Sequence, residues 1–271
     1  MNLVQALVLG ALQGATEFLP VSSSGHLVLV PWLMGWDNPT LVFDTTVHLG
    51  TLVAVLAYFR HDLSALVSAL LRSLASRDTS DEQAHLAWLL AVGTIPGALL
   101  GYLLQYFFER LFGRPLWVSF LLVLTGLMLA LSDRLRKRRR SLDSLGWHNA
   151  LIIGLAQACA IAPGISRSGA TIAGGLSQGL TREEAARFSF LLSAPLILGT
   201  GVFKLIGALS VGIPSGQWTV LLVGFVVSAA SGYLFIHLLL AYVRHHRLYP
   251  FAIYCACMGT AGVIAALSGA I

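Results

Sequence analysis

The chain has 271 residues, of which 56% are hydrophobic and only 11% charged, with a mean hydropathy of +0.79. A soluble domain carries about 25% charged residues, so this composition excludes a water-soluble globule as well as a disordered chain, and it leaves a polytopic membrane protein. The net charge of +5 is concentrated in Arg134-Leu-Arg-Lys-Arg-Arg-Arg140 between apolar runs, which reads as a cytoplasmic loop under the positive-inside rule rather than as a nucleic-acid surface.

Met1-Asn-Leu-Val-Gln5 lacks the basic stretch that opens a signal peptide, so no cleaved segment is expected. Residues 1–35 are apolar but interrupted by Pro20-Val-Ser-Ser-Ser-Gly25, and residues 148–180 by Pro163-Gly-Ile-Ser-Arg-Ser-Gly169. Short half-helices around a polar break predict re-entrant hairpins, because irregular backbone at membrane depth survives only inside protein or along a wet cavity. Six other stretches, roughly 41–60, 86–107, 115–132, 184–207, 217–242 and 249–270, meet the length of about 20 residues that a spanning helix needs.

With the basic run in the cytoplasm, the loops at 61–85, 133–147, 181–187 and 243–248 fall on the same side, and the opposite side keeps only Arg110 and Arg114. Both termini then lie outside. Cys159, Cys255 and Cys257 have no metal or disulfide spacing and are expected to be small core residues.

The chain also matches itself. When Gly10 is laid on Gly154 and Gln13 on Gln157, Val21 meets Ile165 and Ser22, Ser24 and Gly25 meet Ser166, Ser168 and Gly169. Three spans follow each copy, and an odd number inverts the second relative to the first. The expected fold is therefore an all-α polytopic membrane protein, an inverted-topology repeat of six transmembrane helices plus two re-entrant helical hairpins. It forms one domain over 1–271, its halves at about 1–133 and 148–271 joined by the basic loop. Such repeats place a polar site near the bilayer midplane, where the broken segments meet.

The two breaks supply the chemistry. Ionisable side chains at that depth cost roughly 2.5–3.5 kcal/mol each, so they pair or line a functional cavity. Arg167 offers a planar fork of donors for phosphate oxygens, with Ser166, Ser168 and Gly169 opening a half-helix whose amides join an anion site; the alternative is a structural ion pair with Glu17. Glu17 shares a helix face with Gln13 and suits a metal, a base or that pair. Ser22, Ser23 and Ser24 are phosphate contacts or helix caps, and His26 is an acid, a base or a nucleophile. Asp44 and His48 lie one helical turn apart and read as interior hydrogen-bonding groups, the alternative being a metal site or a proton relay. Lys204 reads as a snorkelling residue. Ser189 and Thr200 either extend the polar site or bond between helices.

Thr16-Glu-Phe-Leu-Pro-Val-Ser-Ser-Ser-Gly-His26 and Pro163-Gly-Ile-Ser-Arg-Ser-Gly-Ala-Thr171 closely resemble the two signature motifs of the bacterial undecaprenyl-diphosphate phosphatases, also called bacitracin-resistance proteins. The resemblance runs along essentially the whole chain, including Phe188-Ser-Phe-Leu-Leu and Pro250-Phe-Ala-Ile-Tyr254. It implies an inner-membrane enzyme that removes the terminal phosphate of a polyprenyl diphosphate at a site facing the periplasm, recycling the carrier lipid of cell-wall synthesis and conferring bacitracin resistance. It implies a divalent cation, Mg2+ or Ca2+, held at Glu17 and Gln13, and it leaves room for a homodimer. Glu17, Ser23, His26 and Arg167 fall on the family's catalytic positions, and Ser22, Ser24, Ser166, Ser168 and Thr171 on its substrate-binding ones. Many members have a second Glu where this chain has Gln13, which puts more weight on Glu17. The nucleophile, Ser23 or His26 or water, stays open.

Overall fold

Asn2 opens the chain's first helix by accepting from the Gln5 amide while the Gln5 side chain accepts from the Asn2 amide; this reciprocal cap satisfies two donors that the first turn cannot. The computed structural model describes residues 1–135, 140–211 and 216–268; most of the basic run, at 136–139, lies outside the described residues. Among the described residues there are helices α1 (Leu3–Phe18), α2 (Ser23–Leu33), α3 (Leu41–Tyr58), α4 (Arg60–Ser76), α5 (Glu82–Phe112), α6 (Pro115–Leu135), α7 (Trp147–Cys159), α8 (Arg167–Ser177), α9 (Arg182–Val211), α10 (Trp218–His245) and α11 (Tyr249–Ser268).

Six of these, α3, α5, α6, α9, α10 and α11, are long and apolar enough to cross a membrane. They fall where hydropathy places the six spans. Large apolar side chains such as Phe120, Leu127, Leu222 and Ile264 point outward, a surface that water would not tolerate and lipid does. The protein is an all-α polytopic membrane protein.

The remaining helices position the site. α1 and α2 form one broken pair, α7 and α8 the other. α1 packs along α10 and α7 along α5, so each pair leans on a spanning helix from the other half of the sequence. Both contacts are made through glycine. A Cβ on Gly10 would meet the Gly224 carbonyl oxygen at 2.8 Å, and one on Gly154 would meet the Gly93 carbonyl oxygen at 2.4 Å. In lipid, where apolar surface gains nothing by leaving its surroundings, such close backbone approach is what holds helices together. α8 then packs against α6, α7 and α9, and α3 against α9 and α10.

Several ion pairs gather at the end carrying the start of α4, the α6–α7 link, the start of α9 and the α10–α11 link, here termed the basic end. Arg182 Nε donates to Asp133 Oδ1 at 2.5 Å, Arg244 Nε to Glu183 Oε1 at 2.8 Å, and Arg187 to Asp62. The Arg140 amide and carbonyl bond Gly179 and Thr181.

Two expectations are corrected. Residues 61–85 read as a plain loop from hydropathy, yet α4 occupies most of that stretch: Leu66, Ala69 and Ser73 are buried at helical spacing, and Leu63 and Leu70 pack beside them. Its polar residues depress the average hydropathy and hide the period. Of the cysteines, only Cys255 is a core residue; Cys159 and Cys257 are exposed on outward faces of α7 and α11.

Replacing Gly154 with Ala forces the α5–α7 crossing apart, because the atom it meets is backbone. The expected loss is about 1–3 kcal/mol of stability, read as a lower melting temperature in detergent, with Ala at Gly113, which faces open space, as the neutral control.

Candidate active site

The two breaks are built alike. Ser22 caps α2 by accepting the Gly25 amide at 3.2 Å, and its Oγ lies 3.3 Å from Ser24 Oγ. Ser166 caps α8 by accepting the Gly169 amide at 3.0 Å, and its Oγ lies 3.2 Å from Ser168 Oγ. A serine at this position satisfies amides that a half-helix starting inside the protein would otherwise leave bare. The two caps differ in backbone: Ser22 sits at φ +70°, Ser166 at −72°. A non-glycine residue in that conformation stores roughly 1–3 kcal/mol of strain, held here by the cap and by the buried surroundings of Ser22.

The breaks also touch. Ser168 Oγ donates to the Leu19 carbonyl at 3.1 Å, and a Cβ on Gly25 would lie 3.4 Å from Gly164 Cα. Gly164 adopts φ +101°, a turn open to glycine and strained for other residues. Thr125 on α6 secures that turn, donating to the Gly164 carbonyl at 3.0 Å and accepting the Ser166 amide at 3.1 Å.

This contact brings Ser23 and Arg167, each the first residue of its half-helix, to one carboxylate. Ser23 Oγ donates to Glu17 Oε2 at 2.6 Å and Arg167 Nη2 to Glu17 Oε1 at 2.9 Å. Gln13 Nε2, one turn earlier on α1, donates to Glu17 Oε2 at 3.0 Å. Glu17 is 6% exposed and the Arg167 side chain 13%. Glu17 and Arg167 are thus ion-paired, while Arg167 Nη1 reaches the Ser189 carbonyl only at a long 3.5 Å. Thr171 lies just behind, its hydroxyl 2.8 Å from the Arg167 carbonyl and 2.5 Å from Ser189 Oγ.

His26 stands apart from this carboxylate. Its Nδ1 donates to the Ser22 carbonyl at 2.7 Å, and its Nε2 accepts from the Tyr254 hydroxyl at 2.7 Å, the two rings lying parallel at 5.6 Å. The Ser23 hydroxyl is thus bonded to Glu17 and not to His26. Tyr254 is legible in the sequence only as part of a resembling segment, with no role attached, since nothing in the order of residues says which face of α11 meets α2.

Lys204 is a correction. It does not simply reach for the interface: Nζ lies 3.3 Å from Asp44 Oδ2 across the α3–α9 contact. Asp44 and His48 face each other, and His48 Nε2 comes within 3.9 Å of Glu17 Oε2. Among the described residues, Thr200 bonds its own helix, through the Leu196 and Ile197 carbonyls.

A cation site of three or more His, Cys, Asp or Glu side chains is absent among the described residues. Gln13 Oε1, however, is buried beside Glu17 with no hydrogen-bond partner among the described residues. A hard divalent cation takes one or two carboxylates and fills its shell with phosphate oxygens and water. Gln13 Oε1 and Glu17 fit that donor set.

Replacing Tyr254 with Phe keeps the parallel rings and removes the hydroxyl from His26 Nε2. The expected loss is about 0.5–1.5 kcal/mol, measured as a lower melting temperature in detergent; an unchanged melting temperature would show the bond to be idle.

The sequence model of the family described as bacitracin resistance protein BacA matches residues 6–261. An undecaprenyl-diphosphatase from Rubrobacter xylanophilus is 47% identical over 257 residues, covering 94% of each chain. One from Pelobacter propionicus is 43% identical over 270 residues, covering 99% of each, and one from Geobacter sulfurreducens is 45% identical over 255 residues, covering 94% of each. With the family matched over nearly its whole length and both signature segments folded against each other, the chain belongs to the bacitracin resistance protein BacA family.

Proposed function

We propose that this protein is a membrane phosphatase that hydrolyses undecaprenyl diphosphate to undecaprenyl phosphate and inorganic phosphate, returning the carrier lipid to cell-wall synthesis and thereby conferring bacitracin resistance. The observation that carries it is the Glu17 carboxylate bonded at once to a serine hydroxyl and a guanidinium, in a chain whose relatives bear the name undecaprenyl-diphosphatase. Phosphoryl transfer asks the protein for positioning and for charge neutralisation more than for covalent chemistry. A base, a hydroxyl and a cation converging on one point supply both.

In this reading Ser23 Oγ attacks the terminal phosphorus while its proton passes to Glu17 Oε2. The bond from that phosphorus to the bridging oxygen breaks, and the lipid monophosphate leaves with the electron pair, taking the proton from Glu17. Water then attacks the phosphoserine, Glu17 relays the water's proton to the departing Ser23 oxygen, and inorganic phosphate is released. Arg167 turns from Glu17 toward the phosphate oxygens, and the α8 amides behind Ser166 and Ser168 add donors at a helix N-terminus. His26, with both ring nitrogens engaged, serves as a positioning residue that holds the Ser22 turn. Gln13 and Glu17 would hold Mg2+ or Ca2+, and such an ion, when bound, supplies positive charge to the phosphate oxygens.

We infer the orientation from charge. The cations at the basic end favour the cytoplasm of a bacterium for that end; in this reading the broken pairs enter the inner membrane from opposite sides, as two inverted repeats, and the site opens to the periplasm.

The test is phosphate release from undecaprenyl diphosphate by purified protein in detergent. Arg167→Ala is expected to lose at least about a thousandfold in turnover, on the scale of a lost transition-state donor. Glu17→Gln, which keeps a hydrogen-bonding group but no base, is expected to lose about 10²–10⁴. Chelation with EDTA is expected to abolish release, and added Mg2+ or Ca2+ to restore it. Near-wild-type turnover in Arg167→Ala would remove this site from the reaction, and a folded wild type that binds the lipid without releasing phosphate would make the protein a carrier.

A further inference from the structure

A string of polar side chains leaves the site along the α3–α9 contact. From Glu17 it passes to His48 Nε2 at 3.9 Å. His48 Nδ1 lies 3.5 Å from Asp44 Oδ1 and donates to the Asp44 carbonyl at 2.7 Å. Asp44 Oδ2 then accepts from Lys204 Nζ at 3.3 Å. All three outer members are more exposed than Glu17 at 6%: His48 at 26%, Asp44 at 22% and Lys204, the most exposed, at 42%. Lys204 lies late in α9 and Asp44 in the first turn of α3, so the string runs away from the basic end and toward the mouth through which the site would be reached.

The pairing of Lys204 with Asp44 is poorly explained as a structural clamp. A half-exposed pair contributes about 0–1 kcal/mol, little return for placing an ammonium on a spanning helix. The same weakness makes it easy to exchange. The four charges of the string and site also cancel: Glu17 against Arg167, and Asp44 against Lys204. Among these side chains a polyanion meets no excess positive charge unless Lys204 or Arg167 changes partner, whatever a divalent ion at Gln13 and Glu17 would add.

We propose that Lys204 is the outer phosphate-binding residue of this site, held by Asp44 while the site is empty and transferred to a phosphate oxygen when a phosphate-bearing ligand arrives. Asp44 is the competing anion that sets how readily the transfer occurs. The proposal rests on the phosphatase reading for its natural ligand, and the phosphate chemistry is shared by the lipid diphosphate headgroup and by released inorganic phosphate.

The two partners are therefore expected to act in opposite directions. Kinetics on a prenyl diphosphate in detergent should show Lys204→Gln raising KM about tenfold with kcat within about twofold, the size of one charge-assisted bond. Lys204→Arg should restore a near-wild-type KM. Asp44→Asn, which releases the ammonium, should lower KM about threefold, and the double variant should behave as Lys204→Gln does. A purely structural pair predicts something else: both variants lose melting temperature and neither moves KM or the inhibition constant for inorganic phosphate, and that result overturns the proposal. The inhibition constant for inorganic phosphate separates the two sources. A change in KM assigns Lys204 to the lipid headgroup, a change in phosphate inhibition alone assigns it to the product, and a change in neither overturns the assignment. Calorimetric binding of inorganic pyrophosphate keeps the test independent of turnover. Should the wild type release no phosphate, the phosphatase reading falls, while weaker pyrophosphate binding by Lys204→Gln still supports the phosphate site and equal binding overturns it.

Discussion

A carboxylate in the middle of an apolar bundle must be surrounded by donors or give up its charge. Glu17 meets that demand with three hydrogen bonds from three different helices, from Gln13 on its own α1, Ser23 on α2 and Arg167 on α8. Neither Ser23 nor Arg167 could arrive on a continuous spanning helix. They reach the carboxylate because each is the first residue of a half-helix that begins inside the protein. The broken pairs, their caps and the glycine crossings that seat them on α10 and α5 all follow from the need to deliver donors to that one point.

A helix that begins at this depth exposes its own amides, and the chain repairs the fault the same way twice. Ser22 and Ser166 each accept the amide three residues on, and each lies beside a second serine. Both first turns also lie where the breaks touch, Ser168 bonding the Leu19 carbonyl. The structural solution for a broken helix thus leaves two helix N-termini together, an arrangement of the kind that suits an anion. The copies differ at the cap and at the residue directly after it: a strained Ser22 with Ser23 in one, a relaxed Ser166 with Arg167 in the other. One break carries the hydroxyl and the other the guanidinium.

The spans and the breaks were legible because hydropathy is a property of the local segment, and lipid enforces it segment by segment. The residues around Glu17 were legible because Pro, Gly, Ser and a lone Arg inside apolar runs have few other uses at that depth. Tertiary direction was not. Lys204 and Asp44 lie far apart in the chain and meet only through the α3–α9 contact. Tyr254 meets His26 only because α11 packs against α6, and α6 in turn against α2. α4 escapes hydropathy for a different reason: its buried positions include Ser73 and Ala69 beside one leucine, so its period is weak in hydropathy although clear in burial. The exposed Cys159 and Cys257 show the converse, that an apolar segment facing lipid has no inward side for a small residue to prefer.

Burial also argues for a site open toward one face. Phe18 comes directly after Glu17, Phe59 precedes Arg60 at the basic end, and Phe190 lies between them at 5.4 and 6.4 Å from the two rings. All three are buried, and they belong to the largest apolar cluster of the protein, together with Leu191 and Leu192. Beyond that aromatic floor, ion pairs tie α9 to α6, α4 and α10. On the other side of Glu17 the neighbours are His48, Asp44 and Lys204, each more exposed than the carboxylate they lead to. A phosphate headgroup moving toward the basic end would have to shed its hydration among phenylalanines and leucines, a transfer with no compensating partner. Moving the other way it passes from one polar side chain to the next. A carrier needs both routes to be passable in turn, whereas a hydrolase needs a single mouth and a dry floor that keeps its charges strong.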